Sequence, residues 1–350
     1  MYLQAIATAV PPTSFTQAQC WELGRDSLER LGLSRRSALI LRSVLTGDSG
    51  IEKRHFCVAD IPNVFGYTAD ELHHAYRREA PLLAANALEK ALAQAGRRAD
   101  EIDALLVCTC TGYLCPGVTS YVAEQLGLRT DAFLQDLVGL GCGAAIPMLR
   151  AANGVLAADP EALVACVAVE VCSAAFYVDD DLGVLLSACL FGDGAAASLW
   201  EAKGSSDALR CGHFSTLHIP AERDRLRFEQ RGGKLRNLLH PTVPNLAAQA
   251  VDNLFAAERA RVGAAPIERV LAHSGGREVI AEVSKVLPPE YPLAETRSVL
   301  RDYGNMSSPS VLFALAEAMK GGRPEKGDWW LVSFGAGFSA HGCRIMRSTA

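Results

Sequence analysis

The sequence predicts a duplicated α/β fold in which sheets lie between layers of helices. The segment Ala84–Cys110 reads as a helix, a short polar link and an apolar strand, and Ala247–His273 repeats that order. The stretch Phe191–Leu199 is also similar to Phe334–Gly342, and each stands near the end of its half of the chain. An α/β chain that repeats its elements in this way is typical of two similar halves packed together.

Local patterns predict the individual elements. The start of the chain, Met1–Val10, predicts a first strand, which ends at the double proline Pro11-Pro12. Trp21–Leu45 predicts an outer helix pair, and Thr68–Ala95 predicts a long helix with apolar residues at helical spacing. Leu163–Val171 is apolar almost throughout, which is typical of a strand covered on both faces.

A loop containing Gly204, Ser205 and Ser206 marks the boundary between the halves. We therefore expect an N-terminal half over residues 1–205 and a C-terminal half over residues 206–350. No stretch of the chain is of low complexity.

The composition is that of an ordinary globular protein and argues against several classes of partner. The net charge of −5 and the pI near 5.9 disfavour nucleic acid or an anionic membrane as the main partner. No apolar run approaches the roughly 20 residues that a transmembrane helix needs. The start of the chain carries no basic leader. We expect a cytoplasmic protein that does not bind a membrane.

The eleven cysteines are an odd number scattered through apolar segments, which is not the pattern of a secreted disulfide framework. Cys108, Cys110 and Cys115 lie closest together, but no histidine nearby completes a zinc ligand set. We expect no metal site, and we interpret these thiols as core and cavity lining.

Cys142 is the candidate nucleophile. It lies between Gly141 and Gly143, which leave its sulfur open to close approach. A helix is predicted from Gly143 to about Ala157, and the positive end of its dipole favours a thiolate. The alternative is a core cysteine, since cysteine is common in buried positions.

A histidine and an asparagine in the second half complete the candidate site. His273 closes a predicted strand and precedes Ser274-Gly275-Gly276, a loop with room for a ligand. Asn305 stands just before a helix that begins with Pro309, where Ser308 is the expected N-cap. The alternatives are a hydrogen-bonded core histidine and the left-handed residue of a Gly-Asn turn.

These motifs resemble those of a known family. The residues that carry the resemblance are Gly141-Cys142-Gly143, His273-Ser274-Gly275-Gly276, Gly304-Asn305-Met306-Ser307-Ser308, Phe191-Gly192-Asp193-Gly194 and Gly335-Ala336-Gly337-Phe338. They look like the chalcone synthase-like type III polyketide synthases, of bacterial type, in the thiolase superfamily. The resemblance covers nearly the whole chain. It implies a thiolase-like duplicated α-β-α-β-α layered core, a homodimer, and malonyl-CoA with an acyl-CoA starter as substrates. It implies no cofactor besides these coenzyme A thioesters.

The resemblance also implies roles for the catalytic residues. Cys142 takes up the acyl starter as a thioester, and His273, as imidazolium, stabilises the resting thiolate. His273 and Asn305 donate hydrogen bonds to the enolate oxygen that forms when malonyl-CoA loses carbon dioxide. Repeated condensation and cyclisation then give a small aromatic or pyrone of resorcinolic or naphthalenic type, including rings built from malonyl units alone.

Residues of the substrate cavity follow by the same resemblance. The gate and cavity residues are Phe191, Cys110, Cys172, Ala175, Ser307, Gly337 and Arg236. Phe191 matches the gatekeeping phenylalanine between the coenzyme A tunnel and the cavity; its alternative is a core aromatic. Arg236 stands where plant enzymes carry a second gatekeeping phenylalanine, and it could bind the malonyl carboxylate or a phosphate. The alternative is a surface arginine on a helix that leads to His240-Pro241.

The coenzyme A contacts depart from the plant pattern. A coenzyme A-binding lysine of the plant enzymes aligns near Asp48, and the substitutes are Arg42, Lys53 and Arg54, with Gly275 and Gly276. Two alternative functions remain at this point. One is a single condensation of the ketoacyl synthase III type with an acyl carrier protein, and the other is a hydrolase with a Cys-His-Asn triad.

Overall fold

The computed structural model describes residues 1–205, 207–261 and 263–347. Ser206, the first residue of the predicted second half, lies outside the described residues. The strands are β1 (Tyr2–Ala9), β2 (Ser14–Thr16), β3 (Lys53–His55), β4 (Ala104–Cys108), β5 (Phe133–Leu137), β6 (Val164–Glu170), β7 (Gly194–Glu201), β8 (Leu209–His218), β9 (Leu226–Arg231), β10 (Lys234–Leu239), β11 (Ile267–Ala272), β12 (Asp328–Gly335) and β13 (Ser339–Arg347). The helices are α1 (Gln17–Arg30), α2 (Arg35–Thr46), α3 (Ala69–Ala95), α4 (Val118–Leu126), α5 (Ala145–Ala158), α6 (Leu182–Leu190), α7 (Val243–Arg259), α8 (Arg277–Val286), α9 (Ala294–Tyr303) and α10 (Ser310–Lys320).

The main sheet repeats one strand pattern twice. Its order is β11-β12-β13-β8-β1-β7-β6-β4-β5. In the first group, β1 pairs antiparallel with β7, β7 pairs antiparallel with β6, and β6 pairs parallel with β4. The second group has the same pattern: β8 pairs antiparallel with β13, β13 pairs antiparallel with β12, and β12 pairs parallel with β11. The two groups are joined into one sheet where Tyr2 and Leu3 pair with Arg210 and Leu209. The division at residue 205 stays a prediction.

The helices form three layers around these strands. Helix α3 packs on β1, β6 and β7, and α7 packs on β8 and β13 with α8 beside it. Between the two groups of strands lie α5 and α10, which contact strands of both. The buried apolar residues form three clusters that match these layers. This is the α-β-α-β-α layering that the family resemblance implied.

Most elements lie where the sequence predicts them. The long helix α3 begins after Thr68, whose hydroxyl accepts a hydrogen bond from Glu71 N in a capping box. Ser308 is an exception, because α10 begins at Ser310 and the Ser308 hydroxyl donates to Glu170 instead of capping the helix. None of the described helices is long and apolar enough to span a membrane.

Candidate active site

The nucleophile candidate lies in a tight turn where the two groups of strands meet. Gly141–Gly143 form one turn of 3₁₀ helix just ahead of α5, and Gly141 has the left-handed φ of +57°. The end of β12 presses on this turn, since a Cβ on Gly335 would lie 2.5 Å from Gly143 N. Ser333 Oγ of the same strand donates to Gly143 O at 3.0 Å. The position of Cys142 therefore depends on both parts of the chain.

His273 is held by backbone and ring contacts directly after β11. Its backbone N–H donates to Val332 O at 2.9 Å, and its ring packs edge-on against Phe334 with 5.2 Å between centroids. The side chain is buried, and among the described residues its Nδ1 has no hydrogen-bond partner.

Asn305 links the loop after His273 to the segment that carries Phe191. Its Nδ2 donates to Gly275 O at 3.2 Å, and its backbone N–H donates to Leu190 O at 2.9 Å. Its carbonyl accepts from Gly192 N at 3.0 Å. The residues of positive φ in this segment are Gly304, with φ +72°, and Ser307, with φ +59°, so Asn305 is not the left-handed residue of a Gly-Asn turn.

Ser307 connects the asparagine to the thiol. Its backbone N–H donates to Asn305 Oδ1 at 2.8 Å, while its hydroxyl donates to Cys142 Sγ at 3.2 Å. Cys110 Sγ lies 3.2 Å from the same hydroxyl. The motifs that the sequence singled out in the two halves are thus joined by direct hydrogen bonds.

Glu170 lies next to Cys110 and Ser308, and the sequence analysis did not predict it as a site residue. It is fully buried at the end of β6 and accepts hydrogen bonds from Cys110 N at 2.9 Å, Thr111 N at 3.1 Å and Ser308 Oγ at 2.6 Å. One signal could have found it, since it is the single acid in the otherwise apolar stretch Leu163–Val171. A carboxylate in such a strand needs donors from elsewhere.

Burial opposes charge on both candidate catalytic groups. It raises the pKa of Cys142 to about 12, with the Glu170 charge adding and the Ser307 hydrogen bond opposing. It lowers the pKa of His273 to about 3. Taken singly, the thiol and the imidazole are neutral at pH 7, so burial disfavours the imidazolium–thiolate pair expected from the sequence.

A cavity lies beside Ser307, whose hydroxyl is 3.2 Å from the Cys142 thiol. It is lined by Phe191, Cys110, Cys172, Ala175 and Ser307, which are five of the predicted gate and cavity residues. Gly337 lies instead in the turn between β12 and β13, against the ring of His218. Sequence reasoning missed the lining residues Asn237 and Phe228, which belong to the hairpin of β9 and β10.

Comparison with known proteins decides the family. The model of the family described as FAE1/Type III polyketide synthase-like protein matches residues 33–211, just over half of the chain. The chain belongs to the type III polyketide synthase family. The model of the 3-oxoacyl-[acyl-carrier-protein] synthase III C-terminal region matches residues 257–347 of this synthase.

Relatives of the synthase extend over its whole length. A 1,3,6,8-tetrahydroxynaphthalene synthase of Streptomyces peucetius subsp. caesius is 30% identical over 96% of this chain and 90% of its own. A 3,5-dihydroxyphenylacetyl-CoA synthase of Streptomyces toyocaensis is 29% identical over 95% of this chain and 86% of its own. The crystal structure of the tetrahydroxynaphthalene synthase of Streptomyces coelicolor A3(2) covers all of both chains with a TM-score of 0.87 and 27% identity. The predicted thiolase-like fold and enzyme class, an acyltransferase of the condensing type, are confirmed.

Arg236 of the synthase does not line the catalytic cavity, contrary to the prediction. It lies on strand β10, not on a helix, and its side chain is 12% exposed. Its guanidinium binds Asp179 Oδ2 at 2.7 Å and Glu229 Oε1 at 3.0 Å, with Asp181 at 3.7 Å. Because three carboxylates already surround this cation, it has no need of a malonyl carboxylate as partner.

Arg54 is the second correction among the predicted contacts. It is 2% exposed, and its guanidinium donates to Gln17 Oε1 at 2.8 Å, Ala188 O at 2.9 Å and Phe191 O at 2.8 Å. These bonds fix the C-terminal end of α6 and keep the Arg54 side chain buried. Arg54 is therefore a structural residue that cannot reach a phosphate in solvent.

The other predicted coenzyme A contacts lie at the surface or near His273. Arg42 and Lys53 are exposed. Gly275 follows His273 closely, and Gly276 precedes the first turn of α8. Beside that turn an open cleft of ≈ 1020 Å³ contains three arginines that the sequence did not single out, namely Arg277, Arg297 and Arg301.

Proposed function

We propose that this synthase loads an acyl starter from coenzyme A onto Cys142 and extends it with malonyl-CoA, then cyclises the product. The observation that carries the proposal is the hydrogen-bonded chain from Asn305 through Ser307 to Cys142 Sγ, beside a cavity that Ser307 lines. Asn305 Nδ2 is in turn bonded to Gly275 O, next to His273. A thiol, an imidazole and an amide are the groups that a decarboxylative condensation needs.

In the loading step, His273 takes the Cys142 proton and the sulfur attacks the thioester carbonyl. The carbon–sulfur bond to coenzyme A breaks, and the leaving thiolate receives the proton back from His273. Such an exchange of one thioester for another keeps the oxidation state of every atom. It therefore requires no redox cofactor.

In the extension step, malonyl-CoA loses carbon dioxide and leaves an enolate. The N–H groups of His273 and Asn305 stabilise the enolate oxygen, each by about 3 kcal/mol in comparable sites. The neutral imidazole favoured by burial keeps one ring N–H for this purpose. The enolate carbon then attacks the acyl carbonyl on Cys142, and the carbon–sulfur bond to Sγ breaks and releases the Cys142 thiolate. The chain is now two carbons longer and is carried by coenzyme A, and it returns to Cys142 by the same thioester exchange as in the loading step.

A small aromatic or pyrone is the proposed product. Relatives are named for small aromatic products, namely 3,5-dihydroxyphenylacetyl-CoA, 1,3,6,8-tetrahydroxynaphthalene and phloroglucinol. By analogy with these relatives, we propose that the chain is short and built mainly from malonyl units.

We propose that the cleft with Arg277, Arg297 and Arg301 holds the phosphates of coenzyme A. Arg277 is bound to Asp48 at 2.8 Å and Arg301 to Asp302 at 2.8 Å. Arg297 donates to Ser284 Oγ at 2.9 Å, and no carboxylate of the described ranges lies within ion-pair distance of it. Its charge is available for a phosphate.

We also propose a homodimer in a reducing compartment such as the cytoplasm. Phe133, Leu134 and Val138 lie on or beside the edge strand β5 and are exposed, as is Tyr113. A second copy would cover these apolar groups. The eleven cysteines are all free thiols, which is typical of reducing conditions. Light scattering should report a dimer that Phe133→Glu weakens, and a native monomer would contradict this.

Incubation of the purified protein with radiolabelled malonyl-CoA tests the reaction, with and without a series of acyl-CoA starters. The native protein should release carbon dioxide, form an acyl adduct on Cys142 and yield a cyclised product. Cys142→Ala should lose the adduct and the product while remaining folded, because a small residue fits between two glycines. An adduct that persists in Cys142→Ala, seen by mass spectrometry, would contradict the proposal.

A further inference from the structure

Asn237 places an amide without a partner in the wall of the catalytic cavity. The residue is 8% exposed and lines the cavity. Its Oδ1 is buried and has no hydrogen-bond partner in the part of the chain that the structure describes. An unpaired buried amide oxygen costs stability, because the unfolded chain offers it water. An apolar side chain would suit the folded protein better, so the amide points to a ligand.

Ion pairs fix the direction of this side chain. Alternate side chains of β10 point to opposite faces. Asp179 and Glu229 hold Arg236 on one face, and Asn237 therefore faces the cavity on the other. Asn237 is paired in register with Phe228 of β9, which also lines the cavity. The amide thus belongs to a wall of defined geometry.

One residue that lines the same cavity contacts the nucleophile. Ser307, which lines it, has its hydroxyl 3.2 Å from Cys142 Sγ. Two other hydroxyl groups of the wall are already engaged, since Ser187 Oγ donates to Gly183 O at 2.8 Å and Thr111 Oγ1 donates to Glu170 at 2.9 Å. Asn237 can therefore offer a hydrogen bond to a chain that grows from Cys142.

We propose that Asn237 binds an oxygen of the poly-β-keto intermediate and thereby selects how the chain folds before it cyclises. This inference rests on the proposed function. Such an intermediate carries a carbonyl on every second carbon and forms enols, and a carboxamide donates to the first and accepts from the second. Holding one oxygen fixes which carbons lie close enough to join. Asn237 determines specificity and takes no part in loading or decarboxylation.

The test compares Asn237→Leu, which keeps the size and removes the polar atoms, with Leu238→Met on the opposite face of the strand. Carbon dioxide release from malonyl-CoA, the distribution of products and the thermal midpoint are measured for both. In Asn237→Leu, the rate of carbon dioxide release should stay within about twofold of the native rate. The share of the native product should fall about tenfold, because one hydrogen bond contributes a factor of about that size. The midpoint should not fall, because an unpaired polar group has been removed. Leu238→Met should keep the native products.

Three results would overturn the inference. An unchanged product distribution in Asn237→Leu would show that the amide does not touch the chain. Equal losses of release and product, with a lower thermal midpoint, would show a structural role. A native protein that makes no polyketide from malonyl-CoA would remove the proposed function itself, and this inference with it.

Discussion

At the scale of single residues, two influences compete for the protonation of Cys142. Burial gives the thiol a pKa of about 12 and the His273 imidazole a pKa of about 3, so isolated charges are disfavoured. The start of α5 and a proton acceptor at His273 act in the opposite direction. Transfer of the proton from Sγ to His273 leaves the net charge of the buried site unchanged. We expect this transfer to supply the thiolate.

Removal of the imidazole should expose the effect of burial on the thiol. In His273→Gln, we expect the alkylation rate of Cys142 to rise about tenfold per pH unit between about pH 7 and pH 10. The reason is that the thiolate fraction grows tenfold per unit as long as the pH lies below the thiol pKa of about 12. The native protein should give a flatter profile, because His273 accepts the proton.

Mass spectrometry of the peptide that contains Cys142 measures these rates apart from the other thiols. Parallel pH profiles for the native protein and His273→Gln would show that His273 is not the acceptor. A variant profile that levels off below pH 8 would show that the helix start alone lowers the thiol pKa.

At the scale of elements, the close approach of β12 to the turn Gly141–Gly143 determines the position of Cys142. In Gly335→Ala the new Cβ would lie 2.5 Å from Gly143 N and 3.0 Å from Cys142 N. These are backbone atoms, so the turn itself must shift. We expect acyl loading to slow by about a hundredfold and the free energy of unfolding to fall by about 1–3 kcal/mol.

Gly154→Ala is the matched control, since this helical glycine of α5 faces open space. It should load at the native rate and gain up to about 1 kcal/mol in stability. Loading by Gly335→Ala at the native rate would show that the turn tolerates displacement. Acyl-adduct formation by mass spectrometry and denaturant unfolding give the two quantities.

The sequence predicted elements well where local pattern decides them and poorly where distant partners do. Helix α3 has its capping residue and apolar spacing within its own segment. For Arg236 the sequence predicted a place in the cavity, with a surface helix as the alternative, whereas the residue lies on strand β10. Its ion-pair partner Asp179 is 57 positions away in the chain. Because a partner so far away in the chain decides which face of the strand each side chain occupies, the local sequence could not show that Asn237 faces the cavity.

Arg54 shows the same limit and gives a test at the end of α6. Arg54→Met would remove the hydrogen bonds that the guanidinium donates to the carbonyls of Ala188 and Phe191. The free energy of unfolding should fall by about 3 kcal/mol. Coenzyme A affinity should stay within about twofold of native in Arg54→Met and fall about tenfold in Arg297→Ala, as expected for one lost charged contact. Calorimetry measures the affinity for coenzyme A, and chemical denaturation measures the free energy of unfolding. A loss of affinity in Arg54→Met but not in Arg297→Ala would show that Arg54 binds the phosphates.

At the scale of the whole molecule, one buried carboxylate ties the two groups of strands together. Glu170 accepts from Cys110 N and Thr111 N after β4 and from Ser308 Oγ before α10. Ser308 is 138 positions away from Glu170 in the chain. The sequence identified Cys142, His273 and Asn305 because each stands beside glycines in a recognisable motif. Glu170 stands in a plain apolar strand, and only the fold shows what it binds.

The last prediction separates the acceptor role of Glu170 from its charge. A glutamine can keep its oxygen toward Cys110 N and Thr111 N and turn its amide nitrogen to the Ser308 hydroxyl, which can accept. Glu170→Gln should therefore keep near-native stability. Its Cys142 should be alkylated faster at pH 8, because the Glu170 charge contributes to the raised thiol pKa. Glu170→Leu leaves those donors unpaired, and its free energy of unfolding should fall by about 3 kcal/mol or more. Denaturant unfolding of both variants decides the matter: a Glu170→Gln protein as unstable as Glu170→Leu would mean that the negative charge, not the hydrogen-bond geometry, holds the halves together.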